Sequence, residues 1–171
     1  MENEANLSVN QGQTLVSSPY YRLHLGPSSQ TGLIRLVVYD HKEVSCKLRL
    51  DLKDPTLNSV WLEASVRNSK KILINQTYRE RQRLGVADSI ARPEQLLRWE
   101  LYVSLWEQAL NTNMETISMG DMNINHCNWM SPNIPRTNQT YKLHSLINLL
   151  FNKILPYGVV QMVEGPTHFF P

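Results

Sequence analysis

Apolar and polar residues alternate along this chain with two distinct periods, and the change from one to the other divides it into elements. Leu33 to Tyr39 reads LIRLVVY, a short branched apolar run that predicts a strand. Val60 to Val66 and Lys71 to Tyr78 predict two more, separated by the polar Arg67-Asn68-Ser69-Lys70. Period-two alternation puts Val60, Leu62 and Ala64 on one face of the first, and aligns Ile72, Ile74, Gln76 and Tyr78 in the second. From Pro93 to about Leu110 the spacing turns helical. Leu96, Trp99, Val103, Trp106 and Leu110 recur at three and four, behind a proline suited to a first turn. A short apolar run, Thr116 to Met119, closes on Gly120 and reads as a buried strand. A second helix is expected over Tyr141 to Ile154, where Leu143, Leu146, Ile147, Leu150, Phe151 and Ile154 make one stripe, stopped by Pro156-Tyr157-Gly158. A last strand, Val159 to Val163, leads to Gly165-Pro166, and Gly85 to Arg92 and Ser131 to Gln139 read as loops.

Hairpin-like strand pairs ahead of a helix, then strands and helices in alternation, favour a layered α/β (α+β) sandwich over a doubly wound parallel sheet. The length of 171 residues fits one domain, with no internal repeat and no dividing linker. An apolar content of 42% and a charged content of 19% are those of an ordinary globular chain, which excludes disorder and fibrous classes. No apolar run approaches a membrane span, and the polar, acidic opening MENEANLSVNQGQ is unlike a secretory leader, so an intracellular location without membrane partners is expected. Cys46 and Cys127 stand far apart with no metal-ligand spacing and are expected to be buried thiols. The net charge of +2 permits a phosphate-bearing partner without demanding one.

The densest polar cluster is Gly120-Asp121-Met122-Asn123-Ile124-Asn125-His126, directly after the apolar run. Gly120 lets the backbone turn, and Asp121 and Asn123, two apart in extended chain, project to the same side. A carboxylate beside an amide suits phosphodiester chemistry: the anion orients or deprotonates water, and the amide donates to a phosphoryl oxygen without adding repulsion. Asp and Asn are also ordinary turn residues, so spacing alone leaves a plain turn open.

The run ISMGDMNIN resembles the GDxN motif of the endonuclease/exonuclease/phosphatase superfamily, which has the DNase I-like fold. Further segments resemble the non-LTR retrotransposon endonuclease branch, in the same order: NEANLS, RLVVYDHKEV, SVWLEA with KKILINQTYRE, and YKLHSLINLLFNKILPYGVVQMVEGPTHF. The resemblance covers nearly the whole chain, taken as a single partial domain over residues 1–171.

That resemblance implies roles for particular residues. Glu4 would hold a divalent metal, Mg2+ or Mn2+, that neutralises the scissile phosphate; an exposed terminal acid is the alternative. Tyr78 would contact the phosphate or position water, unless it is simply an aromatic packed on the sheet. Asp121 would activate water and Asn123 would contact the phosphoryl oxygen. Arg79 and Thr167 are candidate phosphate or DNA contacts. In the complete family fold an Asn-bearing first strand and a terminal Ser-Asp-His segment complete the site. Neither has a counterpart here, so the domain is expected to be incomplete at both ends, with unpaired sheet edges. None of His24, His41, His126, His144 and His168 stands in such a setting. The expectation is therefore a fragment of a DNA-nicking, metal-dependent endonuclease, with little turnover alone, whose full element carries a reverse transcriptase on the same polyprotein. A non-catalytic remnant or DNA-contacting module is the alternative, and a phosphoinositide or sphingomyelin phosphodiesterase of the same superfamily is less favoured.

Overall fold

The computed structural model describes residues 7–8, 19–27, 33–65, 69–78, 93–121 and 153–159. Strands β1 (Leu7–Ser8), β2 (Tyr21–Leu25), β3 (Leu33–Ile34), β4 (Val37–His41), β5 (Ser45–Leu48), β6 (Ser59–Ser65) and β7 (Lys71–Tyr78) come first. Helix α1 (Pro93–Leu110) and strand β8 (Glu115–Asp121) follow. Single turns of 3-10 helix lie at Leu50–Leu52 and Leu155–Tyr157. The mixed content is that of an α+β chain.

The central sheet runs β5-β6-β7-β8. Its first three strands form an antiparallel meander, whereas β8 lies parallel to β7 after the crossover through α1. Such a parallel neighbour requires a long connection, which the helix supplies. Smaller two-stranded ladders join β1 to β3 and β2 to β4, both antiparallel.

Two apolar clusters cover the two faces of the central sheet. Alternation along β6 and β7 sends Trp61 and Leu73 to one face, where they meet Trp99, Tyr102, Val103, Trp106 and Ala109 of α1, with Leu52, Leu57 and Ile154 closing the cluster. These helix positions recur at three and four, so one stripe of α1 is buried while Leu97 stays exposed. Trp61 and Trp106 meet edge to face at 5.6 Å between ring centres, the arrangement aromatic quadrupoles favour. The opposite face offers Val60, Leu62 and Tyr78, joined by buried Leu36 and by half-buried Val38, Leu48 and Ile74. Leu36 and Val38 bring the β2–β4 ladder onto the sheet, giving a helix, a four-stranded sheet and a ladder in three layers.

Helix α1 starts at Pro93 and ends at Leu110, as its periodicity requires. Beyond it the Asn111, Thr112 and Asn113 amides donate to the Glu107, Ala109 and Leu110 carbonyls, at 3.0, 3.1 and 3.4 Å. Asn113 then takes a left-handed conformation, φ 58°, the usual means of leaving a helix when glycine is not used.

Several elements differ from the sequence expectations. The run Leu33 to Tyr39 is two strands, because β3 pairs with β1 whereas β4 pairs with β2, and the chain changes ladders at Arg35-Leu36. There the Leu36 carbonyl accepts the Gly26 amide at 2.9 Å and the Leu36 side chain is wholly buried. The bounds of β2 and β5 were not delimited in the sequence, although His24 lies in a strand as its context suggests, and His41, whose context suggests a turn, ends β4. β8 is not a buried strand: among the described residues it pairs only with β7, and Ile117 and Met119 remain 45% and 46% exposed. Cys46 is half-buried, not buried, and is a free thiol. Cys127 and all but Lys153 and Ile154 of the expected second helix lie outside the described residues, as does the expected strand beyond Val159.

Candidate active site at the carboxyl ends of two parallel strands

Strands β7 and β8 run in the same direction and finish together. Their Cα register pairs Asn75 with Ser118, Gln76 with Met119, Thr77 with Gly120 and Tyr78 with Asp121. Two of the residues singled out in the sequence therefore become lateral neighbours at one end of the sheet. The carboxyl ends of parallel strands are where α/β sheets commonly build their sites, since the connecting loops start there.

Tyr78 is held from both sides. Its amide donates to the Asn58 carbonyl at 2.9 Å, and its ring lies among Leu36, Val60 and Leu62 with 6% exposure. The ring is thus a core element as well as the last residue of its strand. Glu4, Arg79, Asn123 and Thr167 lie outside the described residues, and for Asp121 the backbone register is the whole of the description.

Gly120 has a different task from the one its motif suggests. The strand does not turn there; β8 continues through it to Asp121, with φ at 135°. A side-chain carbon at this position would fall 1.8 Å from the Thr77 carbonyl oxygen and 2.8 Å from its carbon. Glycine is needed because two backbones meet where the last register pairs form.

Below this strand end, on the helix-facing side, lies a polar cluster, buried at Asn75, Thr77 and Tyr102 and open to solvent at Ser118, that the sequence reading did not single out. The Asn75 side-chain oxygen accepts from the Thr77 hydroxyl at 2.7 Å and the Ser118 hydroxyl at 3.0 Å, and the Tyr102 hydroxyl stands 3.3 Å away. The same Tyr102 oxygen is 3.3 Å from Thr77 Oγ1. Asn75 is wholly buried, and its Nδ2 has no acceptor among the described residues. A buried unpaired amide donor costs about 1–3 kcal/mol, so the carboxamide is an expensive choice for a core position. Burial pushes the Tyr102 phenol up, and hydrogen bonds with its neighbours offset this only in part. The sequence signal was present: Asn75 and Thr77 share a face with Leu73, the face that α1 covers.

A second polar cluster ties the β2–β4 ladder together. Arg22 donates through Nε to Asp40 Oδ2 at 2.8 Å and through Nη2 to the same carboxylate, while its Nη2 also reaches the Val44 carbonyl. His24 Nε2 lies 2.6 Å from Asp40 Oδ1. Burial alone would raise the Asp40 carboxyl, but the hydrogen bonds from Arg22 and His24 outweigh it and hold it below the ordinary carboxylate range. Cys46 lies beside this group, and its thiol is pushed up by burial and by the Asp40 charge. A thiol so placed is a poor nucleophile.

Among the described residues no three His, Cys, Asp or Glu side chains come together as a metal site. Nor, among them, is any helix long and apolar enough to cross a membrane. The chain matches no known protein-family model, no curated protein and no solved structure.

Proposed function

We propose that the chain is part of a DNA-nicking phosphodiesterase of the endonuclease/exonuclease/phosphatase superfamily, from the non-LTR retrotransposon branch, on a DNase I-like sandwich. The observation that supports this reading is the register of β7 and β8. Tyr78 and the Asp121 of GDMN, which are remote in sequence, are neighbours at the carboxyl end of one parallel pair. In the proposed site Asp121 orients and deprotonates water, Asn123 donates to a phosphoryl oxygen, and Tyr78 contacts the phosphate or holds the water. Arg79 and Thr167 contact phosphates along the DNA. Mg2+ or Mn2+ belongs to the proposal through Glu4 and would supply charge neutralisation at the scissile phosphate. In the full element the partner would be a reverse transcriptase on the same polyprotein.

The mild positive charge, net +2, leaves room for a second reading, a module that contacts DNA without cutting it. One experiment separates the two: supercoiled plasmid incubated with excess protein and Mn2+, with DNA binding followed by fluorescence anisotropy. Slow metal-dependent nicking that disappears in Asp121→Ala supports the enzyme. DNA binding of equal strength in wild type and Asp121→Ala, without nicking, supports the module. Absence of both binding and nicking overturns both.

A further inference from the structure

We propose that Asn75 is a positioning residue, the buried clamp that fixes the parallel register of β7 and β8 and so sets Tyr78 opposite Asp121. The inference rests on the endonuclease reading for what that pair does, not for how its spacing is set.

A parallel pair has no tight turn to define its register, because the two strands are joined through a distant helix. A slip by one residue would turn every side chain of β8 to the other face. Apolar contacts give weak protection against such a slip here, since Ile117 and Met119 are about half exposed and gain little from either face. The hydroxyl of Ser118 is the specific contact across the pair. It meets the Asn75 side-chain oxygen at 3.0 Å, and Ser118 is the Cα partner of Asn75. A slip by one residue would set Ile117 or Met119 opposite Asn75, and the buried carboxamide would lose its hydroxyl partner across the ladder. Thr77 and Tyr102 hold the other side of the same oxygen, tying the clamp to its own strand and to α1. Three residues beyond the Asn75–Ser118 pair stand Tyr78 and Asp121, so an error at the clamp is carried whole to the strand ends. A polar residue that would be cheaper as an apolar one, yet loses its partner when the strands slip by one place, is how a single buried Asn specifies register in coiled coils.

The test replaces Asn75 with Leu, which keeps the branched shape and removes the acceptor. Amide hydrogen exchange is read by NMR at 119–121 and at the β5–β6 pair, together with cross-strand NOEs between Tyr78 and Asp121 and a thermal midpoint. The expected result is a loss of protection of tenfold or more confined to 119–121, with the Tyr78–Asp121 NOEs weakened or doubled, while the midpoint and the β5–β6 amides keep their wild-type values. Should Asn75→Leu not fold, Ser118→Ala is expected to show the same local loss and Ser118→Thr, which keeps the hydroxyl, to restore it. Unchanged protection and a single set of NOEs in Asn75→Leu, or in Ser118→Ala, overturn the proposal. Titration of the same samples with Mn2+ separates this inference from the functional one. If the wild-type chain binds no Mn2+, the endonuclease reading loses its support while the exchange data still decide the clamp.

Discussion

Gly120→Ala is the perturbation for which the structure gives the clearest magnitude. Two costs arise. Alanine at φ 135° occupies backbone space that side chains with a Cβ rarely adopt, at about 1–3 kcal/mol. The new carbon would also lie 1.8 Å from the Thr77 carbonyl oxygen, where no real Cβ approaches within 3.0 Å. The obstacle is backbone, so no rotamer change relieves it. β8 must move away from β7 by more than an ångström at its end, which breaks the ladder at Thr77–Gly120 and Tyr78–Asp121. Losing those hydrogen bonds adds about 1 kcal/mol each.

The expected destabilisation is about 3–5 kcal/mol, equivalent to roughly 6–15 °C in Tm for a chain of this size. Gly158 provides the internal control. It too has positive φ, 73°, but a carbon added there has nothing within 4 Å. Gly158→Ala should therefore cost about 1–2 kcal/mol, from backbone conformation alone. Urea denaturation of the two variants side by side measures both, and hydrogen exchange at 119–121 locates the damage. A Gly120→Ala variant no less stable than Gly158→Ala would refute the close approach and the alignment of Tyr78 with Asp121 that depends on it.

Three further outcomes follow from the described contacts. Asp40→Asn should cost about 1–3 kcal/mol at neutral pH, because Arg22 and His24 lose a buried carboxylate, and chemical denaturation checks it. Asp40 is held below its unfolded value, as are Asp51 beside Arg49 and Glu63 beside Lys71. The stability from these groups is present above the ordinary carboxylate range of about 4 and is lost as pH falls through their folded values. The urea midpoint should thus be level from about pH 5 upward and decline below about 4, with a shallower decline in Asp40→Asn; an acid limb identical in the variant contradicts the assignment. Trp106→Ala should cost about 3–5 kcal/mol, since it empties the edge-to-face contact with Trp61 at the centre of the helix-facing core, and calorimetry reads it directly.

How far the sequence led depended on whether a feature was local. The bounds of α1 were legible because Pro93 and a stripe repeating at three and four up to Leu110 both act within a turn or two. β6 and β7 were legible for the same reason, as short β-branched and aromatic runs set apart by the polar Arg67-Asn68-Ser69-Lys70. β2 and β5 were not delimited, although YRLHL alternates apolar and polar positions as a half-buried strand does; both are short, and what each pairs with is not local. The run Leu33 to Tyr39 showed its β character but not its break, which is fixed by two different ladder partners. The apolar run before Gly120 was read as buried because composition reports what a residue is, not what covers it. Ile117 and Met119 show the difference.

The candidate site divides along the same line. Asp121 and Tyr78 were picked out separately by residue type and motif, but nothing local says that residues so far apart become neighbours. That follows from the crossover through α1 and from the register it leaves β7 and β8 to adopt. The residues that select this register, Asn75 and Ser118, were passed over because neither belongs to a motif and each is an unremarkable polar residue in a strand. Only their pairing at a separation of 43 residues gives them meaning. Gly120 is the intermediate case: its identity was noticed for the flexibility it lends a turn, whereas its use is the space it leaves for the Thr77 carbonyl. A strand end that needs both a buried carboxamide to choose its alignment and a missing side chain to permit its approach is more narrowly specified than a plain sheet edge. That degree of specification at Tyr78 and Asp121 is the physical ground for seeking the chemistry there.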